Sequence, residues 1–224
     1  MAGFAGYDMP IQYKMGVMQE HLHTRANAGL FDVSHMGQIL IRAKSGDVRD
    51  AALALETITP VDVADLKPGR QRYGLFTNDK GGLEDDFMVA NRGDHLYLVV
   101  NAACKHDDLA RIKAALFDTC EIEAQFDRGL IALQGPAAEG VLSSAPKAED
   151  MLFMDVAELE IAGVPAVVSR SGYTGEDGYE ISLPADETDR IARLLLADDQ
   201  VAPIGLGARD SLRLEAGLCL YGND

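Results

Sequence analysis

Strands that come in hairpins, with single helices between them, predict an α+β protein built on antiparallel sheets rather than a doubly wound parallel sheet. Two hairpins carry that expectation. Residues 87–90 and 95–101 are apolar, and the second run is rich in β-branched and aromatic residues, with Gly93-Asp94 making the turn between them. Residues 156–161 and 166–170 flank Gly163-Val164-Pro165 in the same way. A chain of 224 residues suffices for one large domain or two small ones, and for a real core.

The elements follow in order. Met9-Pro10 opens a loop. Residues 18–30 read as a helix, with Gly29 near its end. Residues 38–41 alternate as a strand, and 48–55 form a helix for which Ser45 is the expected cap. Residues 70–77 read as a strand, and Asn78-Asp79-Lys80-Gly81-Gly82 as a turn. An amphipathic helix covers 105–117, and short strands cover 121–126 and 130–133. Gly135-Pro136 introduces a helix over 137–142; a strand at 180–183 and a helix at 187–197 complete the pattern. There is no tandem repeat and no low-complexity linker to mark a domain boundary.

Composition excludes several functions. Hydrophobic residues make up 47%, so disorder is not expected. The net charge is −16, from 36 acidic and 20 basic residues, which argues against non-specific nucleic-acid binding. An anionic small ligand stays possible, because one placed Arg serves it. Cys104, Cys120 and Cys219 are odd in number and form no CxxC, so neither a disulfide framework nor a zinc site follows, and a reducing compartment is expected. No apolar run is long enough to span a membrane, and Met1-Ala2-Gly3-Phe4-Ala5-Gly6-Tyr7 is not a targeting peptide. GxxxxGK[ST], GxSxG and HExxH are absent, which removes nucleotide-phosphate and serine-hydrolase readings. His21 and His23, two apart on a helix, face different sides, so no metal site is expected.

Three segments concentrate chemistry. Glu84-Asp85-Asp86 sets three carboxylates at the mouth of the strand starting at Phe87, where crowding and burial raise their pKa values. Such a cluster is either fully solvated or in use. Ser171-Gly172-Tyr173-Thr174-Gly175-Glu176-Asp177-Gly178-Tyr179-Glu180 is a tight glycine loop: an exposed turn, or backbone brought close to a ligand between aromatic faces. Arg209 and Arg213 lie four apart on one helical face, either neutralised by Asp210 and Glu215 or presenting an Arg that clamps a carboxylate.

Phe4-Ala5-Gly6-Tyr7-Asp8-Met9-Pro10, Ala28-Gly29-Leu30-Phe31-Asp32-Val33-Ser34-His35-Met36-Gly37, Ala132-Leu133-Gln134-Gly135-Pro136, the glycine loop, and Ala208-Arg209-Asp210-Ser211-Leu212-Arg213-Leu214-Glu215-Ala216-Gly217 together resemble the T proteins of the glycine cleavage system, which are tetrahydrofolate-dependent aminomethyltransferases. The resemblance implies ferredoxin-like antiparallel sheets with helices, in two lobes: 1–45 with 136–224, and 46–135. It implies tetrahydrofolate as co-substrate, no metal, and the lipoylated H protein as partner, in the bacterial cytoplasm or the mitochondrial matrix. It makes Asp86 the functional carboxylate beside the folate nitrogens, with Asp85 its neighbour and Glu84 solvated. Tyr73 and Asn101 would line the folate pocket, Tyr173 and Glu180 would come from the glycine loop with Glu180 on the aminopyrimidine donors, and Arg209 would meet the glutamyl tail.

Two departures qualify the likeness. Family members continue past Tyr221-Gly222-Asn223-Asp224 into a C-terminal β-barrel and begin earlier with a helix, so the chain reads as a truncated form whose own activity is in question. His106-Asp107 stands where members commonly carry Glu-Lys. The alternatives are the folate domain of a related demethylase or of a dimethylglycine- or sarcosine-oxidising enzyme, and a non-catalytic folate binder. The run from Arg209 to Gly217 favours the glycine cleavage branch. Relatives in iron–sulfur assembly carry a Lys-Gly-Cys-type motif that Glu215-Ala216-Gly217-Leu218-Cys219 lacks.

Overall fold

Two sheets organise the chain, each with its own core, in a computed structural model that describes residues 1–224 apart from the side chain of Ser144. One unit comprises Met1–His35 and Asp127–Asp224, the other Met36–Phe126. The lobes expected at 1–45 with 136–224 and at 46–135 are therefore shifted at both crossings. Strand pairing accounts for the shift. Residues 37–43 pair within the second sheet, and residues 129–134 within the first.

The first unit starts with a small hairpin, β1 (Ala2–Phe4) on β2 (Tyr7–Met9), followed by helix α1 (Val17–Ala26) and strand β3 (Ala28–Asp32). The helix expected over 18–30 thus ends early. Asn27 closes it, donating its N–H to His23, and the chain then enters the sheet. Gly29 permits this, because a Cβ there would fall 2.5 Å from Thr24 Oγ1 and 2.6 Å from Ile204 Cγ1. Pairing of 28–32 with two neighbouring strands outweighs the local helical pattern.

The second unit holds β4 (Gly37–Ala43), α2 (Val48–Leu55), β5 (Arg70–Thr77), β6 (Leu83–Asn91), β7 (Leu96–Val100), α3 (Lys105–Leu116) and β8 (Cys120–Ala124). Its sheet runs β5-β6-β7-β4-β8, antiparallel throughout. Ile39, Ile41, Leu55, Phe87, Leu98 and Ile112 meet in its core, and Phe76 stacks on Phe87 with ring centroids 4.2 Å apart. Asp47, not Ser45, caps α2: its carboxylate accepts from Arg49 N at 2.9 Å. Ser45 instead donates to Asp50 at 2.6 Å.

The chain then completes the first unit with β9 (Gly129–Gln134), α4 (Ala138–Val141), β10 (Val156–Ile161), β11 (Val164–Ser169), β12 (Gly178–Leu183), α5 (Ala185–Leu195), β13 (Val201–Pro203) and α6 (Leu206–Glu215). The sheet order is β10-β11-β12-β9-β3-β13. Only its last pair, β13 on β3, is parallel; the sequence had not marked the three-residue β13 at all. The β10–β11 turn is Ala162-Gly163, at φ 49 and 82, one residue earlier than expected, so Pro165 lies inside β11 opposite Glu160. Among the described residues no helix is long and apolar enough to cross a membrane.

Candidate active site

The acidic cluster lies inside a strand, not at its mouth. β6 begins at Leu83, so the alternation of the pleat separates the carboxylates. Asp85 falls in phase with the buried Phe87 and Val89, and its side chain is 0% exposed; Glu84 and Asp86 fall in the other phase and are half-buried.

Asp86 is held from two sides. The Tyr73 hydroxyl, on neighbouring β5, donates to Asp86 Oδ2 at 3.0 Å. Asn101, just beyond β7, donates its side-chain amide to Asp86 Oδ1 at 2.6 Å. The same amide donates to Asp85 Oδ1 at 2.8 Å. Both Asn101 N–H donors are thereby committed to carboxylates. Burial nevertheless pushes the Asp86 carboxyl above the usual carboxylate range; the bonds from Asn101 and Tyr73 pull it back, and the Asp85 charge adds to the rise. Tyr73 itself is 46% exposed, so the Asp86 face of β6 is open to a ligand.

Glu84 is tied down rather than solvated. It accepts from Asn78 Nδ2 at 2.6 Å and from Arg111 at 2.9 Å, and the Asn78 bond first, then Arg111, holds its carboxyl below the usual range. Asp85 has a further partner that sequence reasoning missed. Asp108, in the first turn of α3, meets Asp85 carboxyl to carboxyl; burial first, then that contact, pushes it up to about 8. Burial and the same two carboxyls push the Cys104 thiol up to about 11. The Asp107-Asp108 pair had no such signal in the sequence, because acids in a helix's first turn are ordinary complements of its dipole. At the start of α3, Lys105 and His106 both pack on the Phe126 ring, at 5.1 and 5.4 Å.

The first unit gathers a second group. The Arg209 guanidinium sits over the Tyr173 ring, 4.9 Å from its centroid, and its charge acts on Glu180. Glu180 accepts from Ser171 Oγ at 3.0 Å. Burial raises the Glu180 carboxyl, against which Arg209 and then Ser171 lower it. Burial likewise lowers Arg209, while Glu180 sustains its charge. Tyr173, Glu180 and Arg209 therefore form one group. The Tyr173 hydroxyl donates to the Cys219 carbonyl.

Gln134, fully buried at the end of β9, holds the glycine loop in place. Its Nε2 donates to Ser171 O at 2.9 Å, and Thr174 Oγ1 donates to its Oε1 at 3.1 Å. Gly172 is required there, since a Cβ would fall 1.6 Å from Gln134 Oε1. The loop is thus an anchored element, not a free surface turn. Arg25 closes its far side by bonding Thr174 O at 2.6 Å and Glu176 at 3.0 Å.

Arg213 takes the neutralised alternative, paired with Asp210 at 2.9 Å and with Asp224. Glu215 belongs to Arg25 and His21 instead. His21 also meets Ser211 at 2.8 Å, whereas His23 meets Gln200 O at 3.0 Å, so the two imidazoles have different partners. Among the described residues no group of three or more His, Cys, Asp or Glu is placed to hold a metal ion.

A two-unit α+β body carrying a half-buried Asp held by a Tyr and an Asn defines the class, and comparison with known proteins identifies it. The GCVT N-terminal domain model matches residues 1–224. The chain is 46% identical to the mitochondrial aminomethyltransferase of Dictyostelium discoideum, with 100% of the chain and 59% of that protein aligned. It is 45% identical to the mitochondrial aminomethyltransferase of Mus musculus, covering 57% of it. It superposes on the glycine cleavage system aminomethyltransferase T of Bartonella henselae with a TM-score of 0.92 at 44% identity, over 100% of this chain and 60% of that one. The heterotetrameric sarcosine oxidase of Corynebacterium sp. U-96 shares the fold, at a TM-score of 0.56 and 20% identity. The chain belongs to the GCVT N-terminal domain family, and it spans 57–59% of the length of these two curated relatives.

Proposed function

We propose that the protein is a tetrahydrofolate-dependent aminomethyltransferase of the glycine cleavage system. The aminomethyl group arrives on the lipoyl sulfur of the H protein. Its carbon passes to the folate nitrogens, giving 5,10-methylenetetrahydrofolate; its nitrogen leaves as ammonia, and the sulfur is left as a thiol. On this reading the protein works in the bacterial cytoplasm or the mitochondrial matrix, the relatives from D. discoideum and mouse being mitochondrial proteins.

The observation that carries the reading is the setting of Asp86. A carboxylate held between Tyr73 and Asn101 on an accessible strand face can accept a hydrogen bond from a ring or anilino N–H and favour positive charge on the reacting nitrogen. Asn101, its donors engaged, would offer a ligand its carbonyl oxygen. No metal is needed for this chemistry.

Glu180 suits the paired N–H donors of an aminopyrimidine, and Tyr173 offers a ring face. For Arg209 we propose a role at Glu180 as the alternative to the expected contact with the glutamyl tail. Its guanidinium lies on Tyr173 and acts on Glu180, whereas the tail is separated from the aminopyrimidine by the whole p-aminobenzoyl group. Arg209 therefore braces Glu180 and works at the pterin end.

Likeness of fold to sarcosine oxidase does not favour an oxidising enzyme's folate domain, since it extends to the fold alone. Calorimetric titration with 5-methyltetrahydrofolate tests the proposal. Binding that Arg209→Ala weakens, together with aminomethyl transfer that Asp86→Asn lowers severely, is the expected result. Transfer at the unaltered rate by Asp86→Asn would overturn it.

A further inference from the structure

Asp85 and Asp108 are 0% and 2% exposed, and the contact between them joins two acids. Oδ2 of each is shut off from solvent with no N–H or O–H of the described residues reaching it. Two ionised carboxylates cannot hydrogen-bond to one another, so the contact needs one proton between them. On its other side Asp85 presents Oδ1 to the Asn101 amide at 2.8 Å, and that amide reaches Asp86 at 2.6 Å. The chain of contacts runs Asp108, Asp85, Asn101, Asp86.

We propose that Asp108 is a positioning residue for Asp86: the single proton held between Asp108 and Asp85 limits the pair to one negative charge and fixes Asp85 as the acceptor that aims the Asn101 amide at Asp86. The proposal rests on the reading of Asp86 given above. A helix-dipole role alone does not account for it, because such an acid would face the α3 backbone or solvent, not another buried carboxyl.

The charged and titratable groups around the pair are Glu84 and Asp86 on β6, and Asp107 and Arg111 on α3, with Cys104 just before that helix. Arg111 is the only cation among them, and it is drawn to Glu84 at 2.9 Å. Cys104 stays a neutral thiol at neutral pH, being pushed up to about 11. Loss of the shared proton would set a second negative charge beside Asp86 and draw the Asn101 amide toward the pair. Burial, then the contact with Asp85, pushes the Asp108 carboxyl up to about 8, so the loss is expected near that pH.

The test combines carboxyl and amide NMR with ligand affinity on this chain. In protein labelled with 13C at aspartate carboxyls, one carboxyl should titrate far above the rest, and Asp108→Asn should remove that transition. The Asn101 side-chain NH2 resonances should shift over the same pH range in the wild type only. Affinity for 5-methyltetrahydrofolate should fall on the order of tenfold across the transition, the change for one pKa unit of coupling. Asp108→Asn keeps a neutral N–H donor for Asp85, so it should retain the neutral-pH affinity and lose the alkaline fall. Asp108→Leu offers no donor and should weaken binding at every pH.

Aspartate carboxyls that all titrate below about 6, well under one desolvated and facing a second acid, would overturn the shared proton. An unaltered pH profile in Asp108→Asn would overturn the positioning role. Absence of folate binding by the wild type at any pH would instead overturn the folate reading, and the two NMR titrations would still decide the pair.

Discussion

The side-chain amide of Asn101 donates to Asp86 at 2.6 Å. Because the same amide also donates to Asp85, two adjacent carboxylates on opposite phases of one strand are tied to a single group beyond the next. That tie is what turns an acidic run into a defined site, and it makes the surrounding residues testable one at a time.

Asp86→Asn is the direct test. The amide keeps the size of the side chain and its neighbours but not the negative charge. Aminomethyl transfer should fall by about 10²–10⁴-fold, the range for a positioned acid–base group, while 5-methyltetrahydrofolate affinity changes little. Single-turnover transfer and calorimetry on the same samples separate the two effects.

Asn101→Ala removes the donor that Asp85 and Asp86 share and leaves both carboxylates with fewer hydrogen bonds. A stability loss of about 1–3 kcal/mol is expected from the unsatisfied carboxylates. Since the Asn101 bond lowers the Asp86 carboxyl, its removal should raise that pKa further. Urea unfolding and carboxyl NMR read the two consequences.

Arg209→Ala should weaken folate binding by about 1.5–3 kcal/mol, the scale of a charge-assisted contact. If Arg209 acts at the pterin end beside Glu180, a tetrahydropterin without a glutamyl tail should lose as much as the full ligand. A loss confined to the tail-bearing ligand would restore the tail assignment.

Gly172→Ala should displace the loop that carries Tyr173. The new methyl would overlap Gln134 Oε1, and Gln134 has no room to retreat because it is buried and bonded to Ser171 and Thr174. A cost of about 1–3 kcal/mol is the range for overpacking. Thermal denaturation would show it, and weakened folate binding should accompany it.

Asp108 also controls stability against pH. Its folded-state pKa is raised to about 8, above the unfolded value of about 3.9. Between these values the folded form binds the extra proton, so this group's contribution is full at low pH and is lost as pH rises toward about 8. Asp108→Asn cannot lose that proton. Its stability relative to the wild type should therefore increase from pH 5 to pH 9, as unfolding midpoints across that range would show.

Local pattern made much of this legible. The alternating runs, the Gly93-Asp94 turn and the helix over residues 105–117 appear where propensity and period place them. The helix expected over 18–30 failed at its end because a run that is locally helical becomes a strand when β9 and β13 are there to pair with it. The short β13 had no periodic signal, since three residues are too few to show one.

The amino-acid order alone settled the α+β class, the hairpins and the motif runs that mark the family, because these depend on neighbours along the chain. The family resemblance those runs carry placed Asp86, Tyr73 and Asn101 on a shortlist without showing that they touch. Only the tertiary structure decided that β6 starts at Leu83, which turns Asp85 inward and Asp86 outward, since a shift of one residue in a pleated strand reverses every side chain. It also brought Asp108 from another element onto Asp85, and Arg209 onto Tyr173 and Glu180. Such contacts join residues distant in sequence, and no local propensity or period encodes them.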